Sequence, residues 1–116
     1  MDFPIIVENS KIPVILSKIA PIEIYAISLG LFIFCRDKLP EKIWRHEMIH
    51  YRQQRELWFF IFFILYIYYY LNGLLEYRNS KLAYLESPFE REAHDNQTNP
   101  LYLIRRKKHA WKKYRD

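Results

Sequence analysis

An α+β fold is predicted by three features of the chain. Strand-forming residues are confined to its first 35 positions, a long helical run that turns apolar fills the middle, and two capped helical segments follow. The expected arrangement is short N-terminal strands or a hairpin packed on a long helix, then a second helix, then a basic C-terminal helix. At 116 residues, 1–116 is expected to be a single domain with one modest core.

Each element has a local reason. Pro4, Pro13 and Pro21 exclude a long helix over the first 21 residues, because an interior turn needs the amide that proline lacks. Short extended pieces are expected at Ile5-Ile6-Val7 and Val14-Ile15-Leu16. From Ile22 to Cys35, Ile, Tyr, Leu and Phe dominate around Gly30, so two strands are expected with a turn near Ser28-Leu29-Gly30. Pro40 and Glu41 mark a helix start: the proline lacks only an amide that is unpaired there, and the acid complements the dipole. That helix is expected from about Pro40 to Leu71 or beyond, with Asn72-Gly73 the point where it ends or bends. Arg78-Asn79-Ser80 reads as a loop. Ser87, Pro88 and Glu90 supply the N-cap, first-turn proline and capping-box acid of a helix reaching about Asn96. After Pro100, Leu101 to Tyr114 is expected as a third, basic helix.

Composition removes several function classes. Two glycines are too few for a glycine-rich phosphate cradle. Cys35 is the lone cysteine, so an internal disulfide is excluded and a reducing, cytoplasmic setting is the simpler expectation. The opening MDFPIIVENSKIPVIL has no basic start before an apolar stretch and does not read as a signal peptide. The net charge of +5 is concentrated in the tail, where Ile104 to Arg115 carries seven Lys and Arg. Such a tail suits an anionic lipid surface, an acidic partner or a nucleic acid, and equally a solvated terminal helix. No nucleic-acid motif accompanies it, so that partner ranks last.

The chemistry concentrates in His46-Glu47-Met48-Ile49-His50, an H-E-x-x-H sequence. Residues four apart share one helix face, so both imidazoles can reach one Zn2+ ion. Glu47 then lies beside the open coordination position, where it can act as general base toward water. A catalytic site needs a third ligand. Only His94 and His109 remain among the histidines, and no cysteine has ligand spacing, so a glutamate from the helix after Ser87 is the natural source. Glu90, Ala93 and His94 share a face of that helix, and the small Ala93 permits close packing on the motif helix. Glu90 is therefore the expected ligand and Glu92 the runner-up. His94 is a second-layer partner or fallback ligand. Gln53, three after His50, either hydrogen-bonds the site or is an ordinary surface glutamine.

These residues carry a resemblance. The pattern H-E-x-x-H-x-x-Q-Q-x-E-L over His46–Leu57, followed by A-Y-x-x-x-x-F-E-R-E-A over Ala83–Ala93, resembles small gluzincin-type zinc metallopeptidases. It is also similar to short, mostly uncharacterised bacterial proteins of that kind, and the resemblance covers about half the chain well. The resemblance implies two histidines and a downstream glutamate on zinc, the motif glutamate as base, and a peptide or protein substrate. It also implies a strand edge beside the zinc helix for extended substrate, within Ile22–Cys35. An additional Tyr, His or Arg near the metal would stabilise charge, but ten tyrosines leave that choice open. One departure stands out. Several such groups carry Asp or Asn four residues after the ligand glutamate, and this chain has His94 there.

Leu57 to Leu71 is a run of fifteen residues without a charge, and Leu74-Leu75 extend it to nineteen positions. Nineteen residues span roughly 28 Å against a hydrocarbon core near 30 Å. Four tyrosines interrupt it, and basic residues flank both ends. A helix apolar on every face needs cover from lipid, a partner or a second copy, which favours membrane association, at the inner membrane for a bacterial protein, or an apolar oligomer interface over a helix buried within the fold. Two functions follow as expectations: a zinc metallopeptidase, or a non-catalytic membrane-associated or assembly subunit that keeps the fold. Small size leaves little room for a deep substrate pocket, so activity is expected to need a partner, a membrane or removal of an inhibitory segment, which Met1–Val14 or the basic tail would supply.

Overall fold

A computed structural model describes residues 4–19 and 24–115. Pro21, the start of the Ile22–Cys35 segment and the first three residues lie outside them. The order is β1 (Ile5–Val7), α1 (Ile12–Ile19), β2 (Ala26–Leu29), β3 (Phe32–Cys35), α2 (Glu41–Glu56), α3 (Phe60–Tyr77), α4 (Ser80–Leu85), α5 (Pro88–Asn96) and α6 (Tyr102–Arg105), closed by a 3₁₀ turn at Ala110–Tyr114. The fold is α+β, with its sheet near the N-terminus.

The sheet has the order β1-β3-β2. β2 and β3 form an antiparallel hairpin in which Leu29 faces Phe32, and Gly30 takes the first loop position at a φ of +61°, where a left-handed backbone is required. β1 adds to β3 in parallel. The connection from β1 contains the first departure from expectation. Val14-Ile15-Leu16 is helical, within α1, because Pro13 sits in the first turn, where its missing amide costs nothing. The Ser10 hydroxyl caps that turn, accepting from the Ile12 amide at 3.1 Å.

The long helix expected from Pro40 to Leu71 is two helices. α2 ends at Glu56, and the chain reverses through Leu57, Trp58 and Phe59. The Phe59 amide donates to the Gln54 carbonyl at 2.7 Å and the Trp58 amide to the Arg55 carbonyl at 3.4 Å, the bonding pattern of a Schellman cap. Trp58 holds its left-handed position, with a φ of 58°. Such a cap ordinarily carries glycine, so the sequence offers no stop signal here. The break has a packing reason. It lets Phe62 meet Phe89 of α5 and Trp111 of the tail in a buried aromatic cluster, flanked by Phe63, Tyr66 and Tyr69.

Asn72-Gly73 does not end α3, which continues to Tyr77 and stops at a left-handed Arg78. Gly73 serves instead as the crossing point with α4. A Cβ there would lie 2.8 Å from the Ala83 Cα. α4 itself follows the expected Arg78-Asn79-Ser80 loop and is capped by Asn79, whose side chain accepts from the Leu82 amide at 3.0 Å. The expected basic helix from Leu101 to Tyr114 is also divided. α6 ends at Arg105, Arg106 is extended, and His109 is left-handed before the 3₁₀ turn. The tail is not a solvated end: Trp111 is 3% exposed, and the Tyr114 carbonyl accepts from Arg91 at 2.9 Å.

Gly73→Ala is therefore expected to destabilise the protein by about 1–3 kcal/mol through overpacking, despite alanine's better helix propensity. Urea unfolding of the two proteins would measure it, and an equal or higher midpoint for the variant would contradict the close crossing.

Candidate metal centre

α2 and α5 pack side by side, and the chemistry lies between them. His46 and His50 are one turn apart on the buried face of α2, and Glu90 projects from the first turn of α5. Ser87 fixes that turn, its hydroxyl accepting from the Glu90 amide at 3.3 Å, and fully buried Phe89 and Ala93 set the helix against its neighbours. His46, His50 and Glu90 form a buried group whose donor atoms lie within 4.8 Å of one another. His46 Nε2 is 3.1 Å from His50 Nε2 and 3.1 Å from Glu90 Oε1, and His50 Nε2 is 3.1 Å from Glu90 Oε2. Bonds of 2.0–2.1 Å at the tetrahedral angle would require separations of about 3.3 Å.

The outer nitrogens show that this is more than proximity. His50 Nδ1 lies 2.8 Å from Gln53 Oε1. The orientation of that amide is determined, because its nitrogen donates to the Phe89 carbonyl at 3.1 Å and to Glu92 at 2.9 Å. Gln53 therefore presents an acceptor, Nδ1 carries a proton, and the inner Nε2 is the nitrogen left to face a metal once it gives up its own. His46 repeats the device, with Nδ1 2.8 Å from Gln97 Oε1. Two inward-facing ring nitrogens and a carboxylate then converge, joined either by a proton on His50 or by a cation that displaces it. The residues present fit a metal ion.

Glu47 is 5% exposed, with Oε2 4.0 Å from His46 Nε2. Its Oε1 is buried without a hydrogen-bond partner. Burial pushes its carboxyl up to about 7, against the lowering influence of His50, His46 and the Ser28 amide. For His50, burial pulls downward, but Glu90 and Glu47 outweigh it and raise the imidazole to about 9. Burial also works against the Glu90 carboxylate, yet His50 and His46 together hold it well below the usual range. Tyr66 donates to Glu90 Oε2 at 2.7 Å. Burial first, then the Glu90 charge, pushes the Tyr66 and Tyr84 phenols well above their ordinary value, so both remain donors.

The remaining expected residues separate. Gln53 belongs to the site and is fully buried. His94 packs edge-on to His46 with ring centres 4.7 Å apart, outside the three-ligand group. Glu92 turns away from the metal ligands toward Tyr102 and Arg106, as its helix face requires. Gln97 was legible but not picked out: it lies seven residues after Glu90 and so shares its face. Tyr66 gave no local signal, since only the break at Trp58 returns it to α5.

Beside Glu47, His50 and Glu90 opens an apolar cleft of about 370 Å³, walled by Leu16 of α1, Ile27 and Leu29 of β2, and Phe63 and Ile67 of α3. β2 is the sheet's edge strand on this side. Its Ser28 backbone is already engaged by α2, the carbonyl accepting from Gln54 at 2.7 Å.

Because a ligand imidazole must be neutral and His50 is raised to about 9, metal uptake displaces its proton below that pH. Zinc affinity is expected to climb by roughly tenfold per pH unit between about pH 7 and 8.5, with about one proton released per ion. Calorimetry in buffers of different ionisation enthalpy measures both, and a flat affinity across that window would contradict the assignment. No family model, curated protein or solved structure matches the chain, so a functional reading rests on the chemistry of these side chains.

Proposed function

We propose that the protein is a zinc-dependent metallopeptidase, with His46, His50 and Glu90 as ligands and Glu47 as general base. The observation that carries this reading is the pairing of a three-ligand group with Glu47 Oε1, a buried carboxylate oxygen lacking a partner beside an open cleft. A structural zinc site is normally closed by four protein ligands and has no use for such an acid. Zinc, when bound, would polarise the scissile carbonyl and acidify water.

The chain's own residues supply the rest. Glu47, with its carboxyl near 7, accepts a proton from the attacking water and returns it to the leaving amine. Tyr66 and Tyr84 line the cleft, and Tyr66 donates its hydroxyl to Glu90 Oε2, which steadies that ligand. The cleft walls favour a large apolar side chain next to the cleaved bond and exclude water from it. A second, more polar depression on the other side of Glu47 and Tyr84 includes Lys42 and Lys81, which leaves an extended peptide a path across the site.

Replacing Glu47 with Gln is expected to keep zinc near one ion per chain while lowering peptide cleavage by roughly 10²–10⁴-fold. Glu90→Ala is expected to lose the metal. Metal analysis and mass spectrometry of a digested peptide mixture measure both. Zinc-loaded wild type that cleaves nothing would favour the non-catalytic alternative.

A second reading concerns location. α3 is long and apolar enough to cross a membrane by length and composition, and 11% of it is buried. Its outer face presents Phe60, Ile64, Ile67, Leu71 and Leu75, each more than half exposed, and Trp58 is 79% exposed. We propose that this face lies in an anionic lipid surface. Arg52 and Arg55 before it and Arg78 and Lys81 after it complement lipid charge, whereas a net charge of +5 opposes pairing of two copies. Sedimentation with vesicles containing an anionic lipid should recover wild type but not Ile64→Glu/Leu71→Glu. A soluble dimer that ignores vesicles would refute this placement.

A further inference from the structure

The buried polar groups between α5, α6 and the end of α2 are not used by the proposed chemistry, yet they lead directly to it. We propose that Arg106 and Glu92 are positioning residues that select the metal-binding tautomer of His50 by fixing the amide of Gln53. This rests on the zinc reading above and adds a role for the C-terminal segment.

The chain of contacts is continuous. Arg106 Nε donates to Glu92 Oε2 at 2.6 Å and its Nη2 to Oε1 at 3.0 Å. Tyr102 donates to the same carboxylate at 2.7 Å. The opposite side of the guanidinium holds Glu56 at 2.7 and 3.1 Å, which braces it against the end of α2, the helix that carries His50. The Arg106 side chain is 1% exposed and that of Glu92 0%. Glu92 Oε1 then accepts from Gln53 Nε2, and Gln53 Oε1 faces His50 Nδ1.

An amide is nearly symmetric in shape, so packing alone does not choose between its two orientations. The acceptors on its nitrogen side choose. A flipped Gln53 would set its oxygen against the Phe89 carbonyl and the Glu92 carboxylate, and would offer an N–H to His50 Nδ1. That N–H would hold Nδ1 as an acceptor and move the ring proton to Nε2, which blocks the metal. An anion at Glu92 prevents this, and Arg106 and Tyr102 keep that anion in place. The arrangement differs from a plain ion pair that anchors the tail, because its effect depends on which atom of residue 53 faces histidine.

A double-mutant cycle separates the two roles. Zinc affinity is measured by chelator competition, alongside the Co2+ absorption spectrum, for wild type, Glu92→Gln, Gln53→Glu and the double variant. Glu92→Gln is expected to weaken zinc binding by roughly 10–100-fold and to alter the Co2+ spectrum. In the Gln53→Glu background residue 53 has no N–H to present to His50, and Glu92→Gln relieves the contact between two carboxylates, so it should no longer weaken binding. An equal loss in both backgrounds, or no loss in the wild-type background, would overturn the proposal. Should Glu92→Gln fail to fold by circular dichroism, Arg106→Lys completes the same cycle with the same two outcomes. Wild type that takes up no zinc at all would instead defeat the metal reading from which this follows.

Discussion

Two ring nitrogens and the two oxygens of one carboxylate, held at contacts of 3.1 Å in a buried space, are the constraint around which this molecule is arranged. Two neutral imidazoles and a carboxylate repel unless a positive charge joins them, and burial removes the water that would screen the conflict. The surrounding structure must impose the approach. Ala93 and Phe89 seat α5 against its neighbours, the Ser87 cap fixes the turn that carries Glu90, and the reversal at Trp58 brings α3 across to supply Tyr66. Each of these features is unremarkable alone. Together they hold a carboxylate between two rings that the chain separates from it by some forty residues.

Both metal-facing rings are oriented by glutamines rather than by carboxylates. A neutral amide fixes the tautomer without placing a further negative charge beside the ring. The anionic groups are set further out, at Glu92 for one histidine, while Arg45 donates to the Gln97 carbonyl beside the other. Negative charge inside the site is thereby limited to Glu90, which binds, and Glu47, whose raised carboxyl suits proton transfer near neutrality.

The local parts of this design were readable. His46, Glu47 and His50 announced themselves by spacing, and Glu90 followed from helix periodicity and a capping sequence. The hairpin was visible because Gly30 and the flanking β-formers leave few alternatives. Features that depend on tertiary packing were not readable. A tryptophan where glycine normally stands concealed the end of α2, and a glycine chosen for a close crossing at Ala83 looked like a helix stop. Pro13 looked like a breaker because its position in a first turn depends on where the helix begins. The tail looked like a free basic helix because the pairing of Arg106 with Glu92 and Glu56 joins residues far apart in sequence.

The three tryptophans occupy three different surroundings. Trp111 is enclosed by Phe89 and the aromatic cluster, Trp58 stands almost fully in solvent at the reversal, and Trp44 is partly covered near the start of α2. Their fluorescence is accordingly divided by position: short-wavelength emission from Trp111 reports the docked tail, and long-wavelength emission from Trp58 reports the bare end of α3. Detachment of the tail shifts the spectrum to the red, and coverage of the apolar helix shifts it to the blue. The protein thus carries an intrinsic optical readout in which undocking of the tail and coverage of α3 move the signal in opposite directions.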